Sequence, residues 1–267
     1  MGLADVHAHL THPRLAADAD AVVARAVAAG VTTIVTNGLN PADNAAALAL
    51  AARHPAVRPA LGLYPVDAVL PELRALGASY PREGDATSGD EGIAWLAAHV
   101  DEAFAVGEIG LDGHWVPEPL WARQEELFRR ALEIARASDK AVIIHTRRRE
   151  RRALELLRDA GVTRVDWHCF GGKVRLARDI AEAGHYLSIP ANARRSESFT
   201  RMLETLPRDR ILFETDCPYL GPERDAVNEP ATVAGTASYA AELWSAPLAE
   251  VEAQLAENFA RLFRCPP

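Results

Sequence analysis

Apolar positions along this chain fall into two rhythms that alternate from one end to the other. Short apolar or β-branched runs predict strands around Val6 and at Val31–Thr36, Val57–Leu63, Ala103–Glu108, Ala141–His145, Thr163–His168, Tyr186–Ile189 and Arg210–Glu214. Between them, apolar residues spaced three and four apart predict helices at Asp18–Ala29, Pro41–Arg53, Trp121–Ala137, Arg151–Gly161, Lys173–Gly184 and Glu197–Leu206. Gly30 stops the first of these, and Pro41 suits the first turn of the second. A last helix at Pro247–Phe263 closes the series. Repeated strand–helix units imply a parallel sheet, and eight of them favour closure into a (β/α)8 TIM barrel forming one domain over residues 1–267. Periodicity alone leaves a doubly wound open sheet as the competitor. Residues 81–91 break the rhythm: polar and glycine-containing, they read as a surface loop inserted into the barrel.

Composition narrows the class. At 267 residues the chain has the usual size of one such barrel, and its 49% apolar and 25% charged residues are ordinary for a soluble globular protein. The net charge of −8 argues against a broad basic face for nucleic acid. An acidic protein can still hold phosphates where positive charge is local, at a metal or a few arginines. Three cysteines, Cys169, Cys217 and Cys265, make no disulfide framework and point to a reducing, cytoplasmic setting. No apolar run is long enough to span a bilayer, and no secretory signal precedes the first strand, so no membrane partner is expected.

The candidate chemistry sits at strand ends. Asp5-Val6-His7-Ala8-His9-Leu10 places two histidines two residues apart, on one face of an extended chain. Such a pair carries little alone. Glu108, His145, His168 and Asp216 also fall where strands four, five, six and eight finish, the end at which parallel barrels build active sites. Ionisable residues closing apolar runs are costly unless paired or bound to metal. Six such ligands exceed the need of one tetrahedral ion and suit two divalent ions sharing a carboxylate. That arrangement activates water and clamps the oxygens of a displaced phosphoryl group. Mixed nitrogen and oxygen donors suit zinc or manganese better than magnesium. Asp216 is read equally as a pure ligand or as the group that takes a proton from water, and Glu214 as a supporting residue. Cys169 and Cys217 are expected to point away from the ligands beside them, if the strands continue that far.

Several stretches together resemble the TatD family of metal-dependent deoxyribonucleases, within the amidohydrolase-like barrels. They are Asp5–Leu10, Gly107-Glu-Ile-Gly-Leu-Asp112, Ile144-His-Thr-Arg147, His168-Cys-Phe-Gly-Gly172, Glu214-Thr-Asp-Cys-Pro-Tyr-Leu220, Asn228-Glu-Pro230 and Asn258-Phe-Ala-Arg-Leu-Phe263. The resemblance implies one metal held by His7, His9, Glu108 and Asp216, and a second held by Glu108, His145 and His168. It implies Glu108 and Asp216 as catalytic groups, DNA cleavage from the 3′ end with magnesium or manganese, and zinc as an ion that can be bound. It implies DNA as substrate, with RNA the related polyanion. A monomer is the expected state.

One stretch departs from the pattern. Many members carry Gly-x-His-Pro-His after strand three, whereas this chain has Gly62-Leu-Tyr-Pro-Val66. Tyr64 stands at the first histidine position, where it could bond a phosphate oxygen or stack on a base. Arg147, Arg148, Arg149, Arg151 and Arg152 crowd the start of a predicted helix, where the helix dipole disfavours cations. A placement that is locally unfavourable suggests a use, and Arg147, beside the strand-five histidine, is the candidate phosphate contact. Arg194 and Asn228 complete the candidate substrate residues, Asn228 being read also as a loop-ordering residue. The competing readings are an amidohydrolase acting on a small amide or lactone and a non-catalytic partner protein on the same barrel. The first would want a bridging lysine, and neither Lys140 nor Lys173 ends a predicted strand.

Overall fold

A computed structural model describes residues 2–81 and 87–267. Eight parallel strands form one sheet in sequence order: β1 (Leu3–Ala8), β2 (Val31–Asn37), β3 (Val57–Leu61), β4 (Ala105–Asp112), β5 (Val142–Arg147), β6 (Val165–Trp167), β7 (Tyr186–Ile189) and β8 (Ile211–Phe213). Beyond the last strand, the Asp216 amide donates to the His7 carbonyl and the His9 amide to the Cys217 carbonyl, so the chain after β8 pairs with β1 and nearly closes the barrel. The helices are α1 (Pro13–Ala16), α2 (Ala19–Ala28), α3 (Pro41–Ala51), α4 (Leu70–Ala75), α5 (Gly89–His99), α6 (Trp121–Ala137), α7 (Glu150–Ala160), α8 (Val174–Glu182), α9 (Glu197–Thr205), α10 (Val233–Trp244) and α11 (Leu248–Phe263). The single barrel expected from the strand–helix alternation is present, and the open sheet is excluded.

Two cores share the work. The larger lies between strands and helices, with Leu10, Ile34, Leu61, Ile109, Leu127, Trp167 and Phe213 fully buried. The smaller gathers Val35, Ala60, Ala105, Ile143 and Leu212 against Phe259, Leu262 and Phe263 of α11. Ala105 opens β4 and Ala141 immediately precedes β5, so this cluster seals the N-terminal end of the barrel. Asn258 ties α11 there by donating to the Arg208 and Ile211 carbonyls, 2.8 and 2.7 Å away.

Three expectations need correction. Residues 89–91 of the expected 81–91 loop are the first turn of α5. Ser88 accepts from the Glu91 amide, and Glu91 accepts from the Ser88 amide, a reciprocal cap that starts the helix sharply. Residues 82–86 of that loop lie outside the described residues. β4 runs four residues past Glu108, to Asp112. α1, α4, α5 and α10 were not anticipated: α1 and α4 are too short to show a helical period, and small and glycine residues blur the apolar stripe of α5 and α10.

Candidate metal centre

His7 lies in β1 and His9 just beyond it; Glu108 and His145 lie in β4 and β5, while His168 and Asp216 follow β6 and β8. All six converge at the C-terminal mouth. The Glu108 carboxylate stands between two groups. Its Oε2 is 3.5 Å from the Nε2 atoms of both His7 and His9. Its Oε1 is 3.2 Å from His145 Nδ1 and 3.4 Å from His168 Nε2. Asp216 Oδ1 joins the first group, 3.8 Å from His7 Nε2 and 3.4 Å from His9 Nε2. The rings of His7 and His168 stack at 3.7 Å, which brings the two groups side by side.

The backbone that aims Glu108 is irregular. The β4–β5 register shifts between Val106 and Ile109, and Gly62 of the chain after β3 lies against the Glu108 peptide. A Cβ at Gly62 would meet the Glu108 backbone at 2.4 Å, so this close approach requires glycine. Gly110, at φ +144°, sits on the His145 carbonyl, where a Cβ would come within 2.0 Å. Asp216 has φ 50°, a left-handed conformation that Asp tolerates better than most residues.

Outer partners orient the imidazoles. His9 Nδ1 is 3.1 Å from the Asn37 carbonyl, so that nitrogen carries a hydrogen and Nε2 is directed into the cage. His145 Nε2 lies 3.0 Å from Asp112 Oδ2, which turns Nδ1 toward Glu108. His168 Nδ1 faces Glu214 Oε1 at 3.5 Å, leaving Nε2 for the cage. Carboxylates and carbonyls behind histidine ligands fix ring orientation and raise basicity. Behind these, Asp5 accepts from the Thr215 amide and hydroxyl at 2.9 and 2.6 Å. Ser188 Oγ contacts both Asp166 and Glu214, but a hydroxyl has one hydrogen to give. One carboxyl must therefore donate, and Asp166 is pushed up to about 8 by burial and by the nearby Glu214 charge.

Charge balance favours a cation. Burial alone would raise Glu108 and Asp216. The His168 charge and hydrogen bonds from His145, His168 and His7 instead hold Glu108 well below the usual carboxylate range, and a hydrogen bond from His9 lowers Asp216. His7 goes the other way, down to about 3, because it is buried and faces the charge of His168. The cage thus keeps its carboxylates ionised, balanced by protons on His9, His145 and His168 that a bound divalent cation would displace. His7 Nδ1 is buried with no hydrogen-bond partner, and His7 Nε2 is 3.1 Å from His9 Nε2. Nitrogen lone pairs converging with carboxylate oxygens, with no lysine or arginine among them, fit divalent cations.

The remaining candidates divide. Tyr64 packs edge-on against His145 with ring centroids 5.0 Å apart, at the cage wall. Val66 is buried in the larger core. Arg147 is exposed just past His145 and makes no ion pair among the described residues, and the same holds for Arg148 and Arg151. Arg149 and Arg152 instead pair with Glu125 of α6. Asn228 has the hydrogen bonds of a loop-ordering residue, one of the two readings made of it. It is buried, its amide nitrogen donates to the Thr215 and Tyr219 carbonyls, and its oxygen accepts from Thr232. It orders the loop after β8. Arg194 pairs with Glu242 at 2.6 Å and lies over the Tyr239 ring, both on α10, so its guanidinium is engaged by that helix. Lys140 donates to the Ala103 carbonyl near the start of β4, and Lys173 is exposed at the start of α8. Neither supplies a bridging ligand. Sequence reasoning missed Asp5, Asp112 and Asp166. Asp112 was signalled by its place in Gly107–Asp112, had β4 been carried through Gly110.

A parallel barrel with a histidine–carboxylate cage at its C-terminal mouth defines the class of metal-dependent hydrolases. The family model described as TatD related DNase matches residues 4–264, and the chain belongs to that family. The metal-dependent hydrolase YabD of Bacillus subtilis is 32% identical, over 98% of this chain and 99% of that one. Deoxyribonuclease TATDN3 of Homo sapiens is 29% identical, over 98% of this chain and 95% of that one. Among solved structures, the TatD homologue YJJV of Escherichia coli superposes with a TM-score of 0.85 at 27% identity, covering 99% of this chain and 98% of that chain.

Proposed function

We propose that this hydrolase cleaves phosphodiester bonds of DNA, removing nucleotides from the 3′ end of single-stranded or frayed strands, with two divalent cations sharing Glu108. The observation that carries the reading is the split of the Glu108 carboxylate, Oε2 toward His7 and His9, Oε1 toward His145 and His168. The name of the human relative, a deoxyribonuclease, supports the substrate class. Divalent cations in such a cage supply positive charge to the phosphoryl oxygens and acidify water near neutral pH, with manganese or magnesium supporting turnover and zinc a further ion the cage can hold.

The protein's own groups do the rest. Asp216, held ionised by His9, accepts a proton from the attacking water; its side chain is 15% exposed against 2% for Glu108, so it meets the solvent. Glu108 stays ionised and spaces the two donor groups. His145, backed by Asp112, and His168, backed by Glu214, hold fixed orientations. Arg147 offers an uncommitted guanidinium fork to the phosphates beside the reacting one. Tyr64 bounds the site on the His145 side. An overall charge of −8 does not oppose this, because the positive charge is local.

The test is turnover of a 5′-labelled single-stranded oligonucleotide with manganese, comparing wild type with Glu108→Ala. A ladder shortening from the 3′ end in wild type and absent in the variant is expected. Release of no nucleotide from any DNA or RNA end by metal-loaded wild type would overturn the reading.

A further inference from the structure

A cleft of about 760 Å³ opens from the cage on the His9 side. It is built by the segment after β1, the segment after β2 and the loop after β8, with Tyr80 adding a wall. Two tyrosines border it. Tyr219 is 48% exposed, unusual for an aromatic ring beside a buried cage. Its hydroxyl is 2.9 Å from His12 Nε2, and the two rings meet edge to face at 5.3 Å, which fixes the tyrosine in place. Tyr80 is held in turn by Trp115, with ring centroids 5.5 Å apart. Among the described residues that line the cleft there is no lysine or arginine, and the one carboxylate, Asp43, accepts from the Leu39 amide.

The cations lie elsewhere. The strands run round the barrel in sequence order, so β5 stands opposite β1. Arg147 ends β5 and Arg148 follows it, and both are exposed without ion pairs among the described residues. The described lining of the cleft is therefore aromatic and without lysine or arginine, while the opposite side of the mouth carries guanidinium groups without ion pairs among the described residues. A polynucleotide cut at its 3′ end has the same asymmetry. Beyond the reacting phosphate the end nucleoside is uncharged and carries a flat base. On the other side the strand is a polyanion.

We infer that the cleft bordered by Tyr219 and Tyr80 is a nucleobase subsite for the terminal nucleoside, while the arginines at the end of β5 receive the remaining strand. The inference rests on the phosphodiesterase reading and adds which way the strand lies. Stacking on an aromatic ring accepts any base, so the subsite favours an end over a sequence. Asp43 repels phosphates from this side and so helps to limit cutting to the terminal position.

Calorimetric binding to the manganese-loaded protein tests this without turnover. The probes are deoxyadenosine 5′-monophosphate, 2-deoxyribose 5-phosphate and a phosphorothioate oligonucleotide that resists cleavage. Tyr219→Ala is expected to weaken the nucleotide by on the order of tenfold and leave the sugar phosphate unchanged. Tyr219→Phe, which keeps the ring, retains nucleotide affinity and guards against a collapsed loop. Arg147→Ala is expected to weaken the oligonucleotide and flatten its salt dependence while sparing the mononucleotide. Equal loss of nucleotide and sugar phosphate in Tyr219→Ala, or no loss of either, would overturn the subsite. If nucleotide binding depends on Tyr219 but no DNA or RNA is cut, the subsite stands and the phosphodiesterase reading falls.

Discussion

At the N-terminal end of the barrel, Val35, Ala60, Ala105, Ile143 and Leu212 pack against Phe259, Leu262 and Phe263. Two or three residues further along the same strands or just past their ends stand Asn37, Gly62, Glu108, His145 and Glu214. The step is a few ångströms, and the chemistry inverts. The lower end is an apolar plug, stabilised by burial and by the Asn258 hydrogen bonds that tie α11 to it. The upper end concentrates buried ionisable groups that are stable only through mutual pairing or a bound cation. Histidine makes the contrast plain. His185, just before β7, is buried and makes no ion pair among the described residues; it accepts from Trp167 Nε1 and is lowered to about 4 by burial and by the Arg158 charge. His168, equally buried, faces Glu214 and Glu108 and is raised well above its ordinary value. Burial with a neighbouring positive charge lowers His185 and His7, whereas at His168 the charges of Glu214 and Glu108 outweigh burial.

Changes at each end break this comparison in different ways. The largest effect is expected for Glu108→Gln, which should lower turnover about a thousandfold or more, ~4 kcal/mol of transition-state stabilisation, with the circular dichroism spectrum unchanged. Phe259→Ala at the plug should instead cost about 3–5 kcal/mol of stability in urea unfolding while leaving turnover per folded molecule within about twofold. If the two variants exchanged these phenotypes, the division between ends would be wrong.

The pH dependence sharpens the contrast. The His185 folded-state value lies below its unfolded value, so between pH 6.5 and 4 the unfolded chain binds a proton that the native chain refuses. Its contribution is complete above pH 6.5 and is lost as pH falls through that window, up to about 3 kcal/mol. His185→Gln should flatten this part of the stability profile; an unchanged slope would mean that the ring is not buried neutral. The smallest effects are expected from the partners behind the cage. Asp112→Asn and Glu214→Gln should each weaken metal affinity about 10- to 100-fold, read by competition with a chelator, with secondary structure retained. Unchanged affinity would reduce these carboxylates to packing.

The strand–helix alternation and the six cage residues could be read from the sequence because the ligands lie in or just past apolar runs, where an ionisable residue has few structural excuses. The acids behind them could not. Asp5 and Asp166 are inside predicted strands, where nothing in the pattern separates a buried hydrogen-bonded acid from one facing water. Asp112 was hidden by Gly110, which resembles a strand breaker but serves the close approach of β4 to His145. Asn228 could be read two ways from sequence, as a loop-ordering residue or a substrate contact, and its side-chain hydrogen bonds to Thr215, Tyr219 and Thr232 fit the first. The cleft beside His9 was invisible for a different reason: Tyr80 and Tyr219 are far apart in sequence and come to line one cleft only in the folded barrel.

The most direct test of the shared-carboxylate centre is a crystal soaked in manganese and measured at a wavelength where manganese scatters anomalously. Two peaks are expected on either side of Glu108, one among His7, His9 and Asp216 and the other beside His145 and His168. A single peak, or peaks away from Glu108, would contradict the account.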